Sequence, residues 1–118
     1  MSVNNDQIRV KHIQDAIDEI IAFVDGETKD SFLKDRKLQL AIIRLIEIIG
    51  EAATRLSVPF KQKHETVPWQ AIIGMRNRLI HAYFDVDLDR VWETVTHSIP
   101  ELSDQIKAII ITFTIDSE

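Results

Sequence analysis

The chain has 118 residues, contains no cysteine and carries a formal net charge of −5 at pH 7. This length suits one domain with a substantial core and is too short for a second one. The absence of cysteine excludes disulfides, thiolate metal sites and a thiol nucleophile. The negative charge disfavours general attraction to phosphate chains, so any contact with nucleic acid must be local.

Charged residues interrupt every long apolar stretch of the sequence. No basic N-terminal segment leads into an apolar run with a small-residue cleavage site. We therefore expect a soluble, cytoplasmic protein without a membrane span, and a single domain over residues 1–118.

The first two predicted helices are the main apolar elements of the N-terminal half. Residues 6–24 carry one apolar stripe and are followed by Gly26, a natural stop for a helix. Residues 32–56 form a second, strongly apolar helix. Its apolar residues cover a wider arc than one neighbouring helix needs, and Leu40 and Ile43 lie beyond that arc. This pattern predicts an additional contact surface.

The segment 57–67 is predicted to be a loop, because Pro59 interrupts it. It contains a small basic run, Lys61, Lys63 and His64, which can be an ordinary solvated connection or a local contact for nucleic acid. A third helix is expected to begin near residue 67, because Pro68 fits the first turn of a helix.

The C-terminal part of the chain is predicted to contain one short helix and one long helix. Asp87 is the expected cap of the short helix, which places Trp92 inward. Ser98 and Glu101 have capping-box spacing, which predicts the start of the last helix. No segment is a convincing strand. We predict an all-α fold, an antiparallel up-and-down bundle of four main helices plus one short helix.

The third helix carries the most chemically specific stretch of the chain. Arg76 lies near the middle of its apolar arc, an unusual place for a guanidinium. Asn77 and His81 are one turn apart on a narrower face, where Gly74 is expected to leave room for close approach. A permanent cation, an amide and a group that titrates near neutrality are thus combined, and this combination suits phosphate chemistry.

Structural roles compete for the same residues. Arg76 alone is typical of an arginine that covers apolar surface and pairs with a carboxylate such as Glu47 or Glu51. His81 alone is more often a solvated histidine than a catalyst. The remaining candidates for metal ligands lack tight spacing: His64, Glu65, His81 and Asp85. No metal or other cofactor is therefore expected.

The segment Arg76–His81 resembles the Arg-(polar)-x3-His motif of the HEPN superfamily, and Tyr83 completes the Arg-x4-His-x-Tyr form of its HepT ribonuclease toxins. Further similar segments extend over most of the chain: Ile49-Gly50-Glu51-Ala52, Pro68-Trp69, Asp87-Leu88 and Val91-Trp92. The resemblance implies a single HEPN-like helical domain that forms a homodimer, in which the motif helices of two protomers flank a shared cleft.

The resemblance also implies an activity. It indicates a metal-independent endoribonuclease that acts as the toxin of a toxin–antitoxin pair. In such an enzyme His81 is the acid or base, Arg76 offsets the charge that builds on the phosphorane, and Asn77 orients the histidine or the phosphate. Arg78, beside them, is the expected substrate-binding residue for RNA.

Tyr83 receives a regulatory role from the same resemblance. Without the family, it would be interpreted as a tyrosine at the edge of the core with its hydroxyl in water. In HepT-like toxins this tyrosine accepts AMP from a partner nucleotidyltransferase (MNT-type) antitoxin. The rival hypothesis is a non-catalytic helical module whose motif face binds a partner protein or nucleotide, with Arg76 as an anion clamp.

Overall fold

A computed structural model of the protein describes residues 2–81 and 85–116, and all regular elements in these ranges are helical. The helices are α1 Ser2–Val24, α2 Lys29–Leu33, α3 Arg36–Thr54, α4 Val58–Lys63, α5 Trp69–His81, α6 Leu88–Glu93 and α7 Ile99–Asp116, and a π-helical segment, Thr94–Ser98, joins α6 to α7. The four long helices, α1, α3, α5 and α7, confirm the predicted all-α bundle.

The core of the bundle lies along α3, which packs against both α1 and α5, while α7 packs against α1. The largest side chains that are fully buried come from five of the helices: Phe32, Ile13, Ile17, Ile20, Ile42, Ile106, Val10 and Val91. Trp92 is half-buried, and its ring centroid lies 5.2 Å from that of Phe32. None of the helices in the described part of the chain has the length and apolarity that crossing a bilayer requires.

The predicted helix over residues 32–56 is divided in the structure, so its continuity was wrong. The helix α2 ends at Leu33, and α3 begins after Asp35, whose carboxylate accepts a 3.0 Å hydrogen bond from the backbone N–H of Leu38. The amide of Gln39 donates to the carbonyls of Phe32 and Leu33 at 3.0 and 3.1 Å. Local capping at the break therefore outweighs the continuous apolar pattern.

The predicted loop 57–67 contains helix α4, so this prediction was wrong in part. Pro59 lies in the first turn, where its missing N–H costs nothing, and so it favours the start of a helix rather than interrupting one. Ser57 caps α4 and binds Asp6 of α1, which accepts from its backbone N–H at 2.8 Å and from its hydroxyl at 2.7 Å.

The last helix, α7, begins at Ile99, as the spacing at Ser98 predicted, but no break precedes it, because helical structure continues from α6 through the π-helical segment into α7. The backbone N–H of Ile99 donates to the carbonyl of Thr94 across the wider turn. Pro100 follows directly and has no N–H, and in a regular α-helix its ring would collide with the carbonyl four residues earlier. The wider turn before Pro100 accommodates that ring without ending the helix.

Candidate active site

Gly50, in the middle of α3, allows α5 to approach α3 closely at Arg76. A Cβ atom on residue 50 would lie 2.7 Å from Cγ of Arg76 and closer still to its Cβ. Only glycine permits this approach. The side chain of Arg76 consequently lies against α3 with 27% of its surface exposed.

Gly74 was expected to provide the close approach, and that expectation was wrong. A Cβ on residue 74 would meet only Nη1 of Arg78, at an ordinary distance of 3.6 Å. The sequence does contain a signal for the correct glycine, since a glycine inside a helix costs about 1 kcal/mol relative to alanine and usually needs a packing reason. Gly50 has that reason.

Glu51 is the carboxylate that holds Arg76. Nη2 of Arg76 donates to Oε2 of Glu51 at 2.5 Å, and Nη2 of Arg55 donates to Oε1 at 3.1 Å. Glu47, the other candidate, forms an ion pair with Arg44 instead, in which Oε1 of Glu47 lies 3.5 Å from Nη1 of Arg44. The hydrogen bond from Arg55, and then the positive charge of Arg76, hold the pKa of Glu51 below its ordinary value. One ionised carboxylate thus bridges two guanidinium groups.

Asn77 completes the environment of the Arg76 guanidinium. Its Oδ1 accepts a 2.9 Å hydrogen bond from Nη1 of Arg76. Nε of Arg76 is buried and has no hydrogen-bond partner among the described residues. The guanidinium of Arg76 is therefore held from two sides, by Glu51 on α3 and by Asn77 on α5.

His81 is the exposed last residue of α5, one turn beyond Asn77. It lines a cavity near the start of α6, together with Asp85 and Asp87. Arg76 instead lines a groove bordered by α1 and α3. Five residues of an α-helix turn through roughly 500°, which places the two side chains about 140° apart around the axis. Within one chain, the described structure gives them different cavities.

The sequence matches a known protein family over most of its length. A family model described as "Ribonuclease HepT-like" matches residues 13–109, which include all of α3 and α5. The chain belongs to the HepT-like ribonuclease family.

Relatives of this HepT-like chain agree with the family match. One from Caldanaerobacter subterraneus subsp. tengcongensis, named "Putative RNase", is 44% identical over 101 residues, 86% of this chain and 90% of the relative. The "Probable ribonuclease HepT" of Thermococcus cleftensis is 40% identical over 100 residues, 85% of this chain and 91% of that protein. No solved structure matches the chain.

The basic residues around the motif of the HepT-like chain differ in their surroundings. Arg78 is exposed, lines the cavity of His81, and donates to Sδ of Met75 at 3.7 Å. His64 follows α4 and packs its ring 4.6 Å from that of Phe60. Burial, together with the positive charge of Lys63, lowers the pKa of His64. These contacts favour a structural role for His64, whereas Arg78 and Arg90 are exposed cations that line the cavity of His81.

Tyr83 lies outside the described residues of the HepT-like chain, so its role stays a prediction. In the ranges 2–81 and 85–116, no three histidine, aspartate or glutamate side chains cluster in a way that could hold a metal ion. The predicted catalytic side chains that the structure does describe, Arg76, Asn77 and His81, share one helix.

Proposed function

We propose that this HepT-like protein is a metal-independent endoribonuclease and the toxin of a toxin–antitoxin pair. The observation that carries the proposal is the environment of the motif. The Arg76 guanidinium is held by Glu51 and Asn77, and the His81 imidazole is exposed one turn beyond Asn77. The family match and the names of the relatives support the same activity.

The reaction uses a nucleophile that RNA itself provides. The 2′-oxygen attacks the adjacent phosphorus, the bond from phosphorus to the 5′-oxygen breaks, and a cyclic phosphate remains. His81 removes the proton from the 2′-hydroxyl or donates one to the departing 5′-oxygen. Arg76 offsets the negative charge that accumulates on the phosphorane oxygens, Asn77 orients the reacting groups, and Arg78 binds the flanking substrate.

A homodimer explains how side chains that line different cavities can act on one phosphate. One histidine cannot be acid and base at the same instant, whereas two protomers supply two histidines and two arginines to a shared cleft. Exposed apolar side chains on the relevant helices support such pairing, since Leu40 of α3 is 51% exposed and Ile80 of α5 is 40% exposed. Apolar side chains left exposed in one copy can be buried against the same surface of a second copy in a two-fold dimer.

Cleavage of RNA by purified protein in the presence of a chelator tests the proposal. We expect the wild type to remain active, and His81→Ala to lose at least about 100-fold in rate, the usual contribution of a general acid or base. His97→Ala is the matched control, because His97 is also exposed but lies in the π-helical segment. Intact RNA with the wild type, or equal cleavage by His81→Ala, would favour a non-catalytic binding module instead.

Regulation through Tyr83 forms part of the same proposal. The chain contains one tyrosine, so AMP added to a tyrosine hydroxyl by a partner nucleotidyltransferase antitoxin can only be at residue 83. The added phosphates would repel the RNA backbone and compete for Arg76. Intact mass after co-expression should increase by one or more AMP units in the wild type and stay unchanged in Tyr83→Phe. An AMP-bearing Tyr83→Phe variant would remove Tyr83 from this role.

A further inference from the structure

The groove beside Arg76 concentrates positive charge in a protein that is acidic as a whole. Four arginines and a histidine, which lie in α1, α3 and α5 or at the C-terminal cap of α3, line it: Arg9, His12, Arg44, Arg55 and Arg76. Its only acidic lining residues are two glutamates. With a net charge of −5 on the whole chain, this groove is a local exception, and such a concave basic surface attracts anions.

The glutamates do not cancel this charge. Glu47 pairs with Arg44, and Glu51 is shared by Arg55 and Arg76. Arg9 forms no ion pair with any residue in the described part of the chain. The groove therefore keeps an excess of guanidinium groups, and the side chain of Arg44 is 71% exposed and accessible to a ligand.

The dimensions of the groove suit an extended strand. Arg44 lies on α3 and Arg55 caps the end of that helix, eleven residues later, which corresponds to about 16 Å along the helix axis. Guanidinium groups bind phosphate oxygens with two parallel hydrogen bonds, and the apolar Ile48 in the lining can contact sugars or bases. A volume of about 530 Å³ accepts nucleotide-sized units rather than a duplex.

We infer that this groove binds the phosphodiester backbone of single-stranded RNA and leads it to Arg76. Arg9 and Arg44 are the contacts remote from the cleaved phosphate. The inference deepens the proposed ribonuclease function and rests on it for the identity of the ligand. The Arg-x4-His motif contains no residue of α1, so the proposed contact of Arg9 with the substrate is additional to the motif.

Fluorescence anisotropy with a labelled single-stranded oligodeoxynucleotide tests the groove without cleavage, because this probe lacks the 2′-hydroxyl. We expect Arg9→Ala/Arg44→Ala to bind about 25-fold more weakly at 0.1 M salt, since each single-strand phosphate contact contributes roughly a factor of five there. The slope of log K against log salt concentration should become less steep by about 1.4. Each of the two lost contacts accounts for half of that change.

Two further variants distinguish the loss of contacts in the groove from the general effect of lost positive charge on binding. Arg36→Ala/Lys37→Ala removes the same charge from exposed residues at the start of α3, outside the groove lining, and should change binding by no more than about twofold. Arg9→Lys/Arg44→Lys keeps both charges and should restore the salt slope. Circular dichroism checks that each variant is folded, and the lysine variant remains informative if the alanine variant is not.

Failure of the inference is distinguishable from failure of the proposed function. If the wild type cleaves RNA but the alanine variant binds the probe like the wild type, the groove inference is overturned alone. Equal weakening by the control pair overturns it as well. So does dissociation of a dimer by the alanine variant with probe binding unchanged, because the groove would then be a protein interface. Groove-dependent binding without RNA cleavage supports the groove and overturns the enzyme.

Discussion

The middle and the end of α5 present their motif residues in opposite ways. Arg76, in the middle of the helix, lies against Gly50 of α3 and is held by Glu51 and Asn77. His81, at the end of the helix, is exposed and faces a different cavity. Folding of one chain therefore fixes the arginine, whereas the histidine is exposed at the surface. A substitution of Arg76 should therefore reduce both the stability and the cleavage rate, whereas a substitution of His81 should reduce the cleavage rate alone.

The largest expected effect is on cleavage by Arg76→Ala and His81→Ala. Both should reduce the rate of RNA cleavage by at least about 100-fold, because in the proposed reaction each removes a group that acts on the transition state. Their stabilities should differ. Arg76→Ala loses packing against α3 and should lower the free energy of unfolding by about 1–2 kcal/mol, whereas His81→Ala should stay within about 0.5 kcal/mol of the wild type. Urea denaturation provides both values, and equal losses of stability would contradict the comparison.

A second test changes the contact on which Arg76 depends. Gly50→Ala places a methyl group where the stem of Arg76 lies, so α3 and α5 must separate, and overpacking of this kind costs about 1–3 kcal/mol. Gly74→Ala is the matched control, since its Cβ would meet an ordinary contact and its helix propensity should add about 0.5–1 kcal/mol. Thermal and urea unfolding of both variants measure these changes in the free energy of unfolding. Stabilisation by Gly50→Ala would show that the two helices do not meet closely there.

A smaller effect is expected from Glu51→Gln, which keeps the shape of the side chain but weakens its hold on Arg76. We expect kcat to fall about tenfold with KM less affected, because a displaced guanidinium acts less well on the transition state. Glu47→Gln is the control, as it removes the same charge from the same groove without touching Arg76. Equal kinetics of the two variants would mean that Glu51 acts only through the charge of the groove.

The smallest effect concerns the pH dependence of stability. The pKa of Glu51 is lowered in the folded protein, so its ion pairs contribute stability above the ordinary value of 4.5 and lose it as the pH falls through the folded pKa. The difference in free energy of unfolding between the wild type and Glu51→Gln should therefore shrink on acidification below pH 4.5. Urea denaturation between about pH 7 and about pH 3 measures this difference. A constant difference would show that Glu51 stabilises the fold by packing alone.

Periodicity predicted the four long helices correctly, because each of them buries an apolar stripe. It could not predict the break at Asp35 or the helix after Ser57, since capping and the position of a proline in the first turn decide those local structures. Arg76 was expected to pair with Glu47 or Glu51, which lie about one turn apart on α3. Which of the two glutamates reaches Arg76 depends on how far α5 is shifted along the axis of α3. The close contact at Gly50 sets that shift.

The π-helical segment has a consequence for the apolar face that follows it. Buried residues recur at steps of four through Val91, Val95 and Ile99, and then at alternating steps of three and four through Leu102, Ile106 and Ile109. In a regular α-helix two consecutive steps of four would rotate the buried face by about 80°. The wider turn absorbs this rotation, so it acts as a built-in phase correction, equivalent to one inserted residue. A chain one residue shorter in this segment could continue as a regular α-helix and still direct the inner face of α7 towards α1, whereas the present residues wound as a regular α-helix would turn that face away from α1.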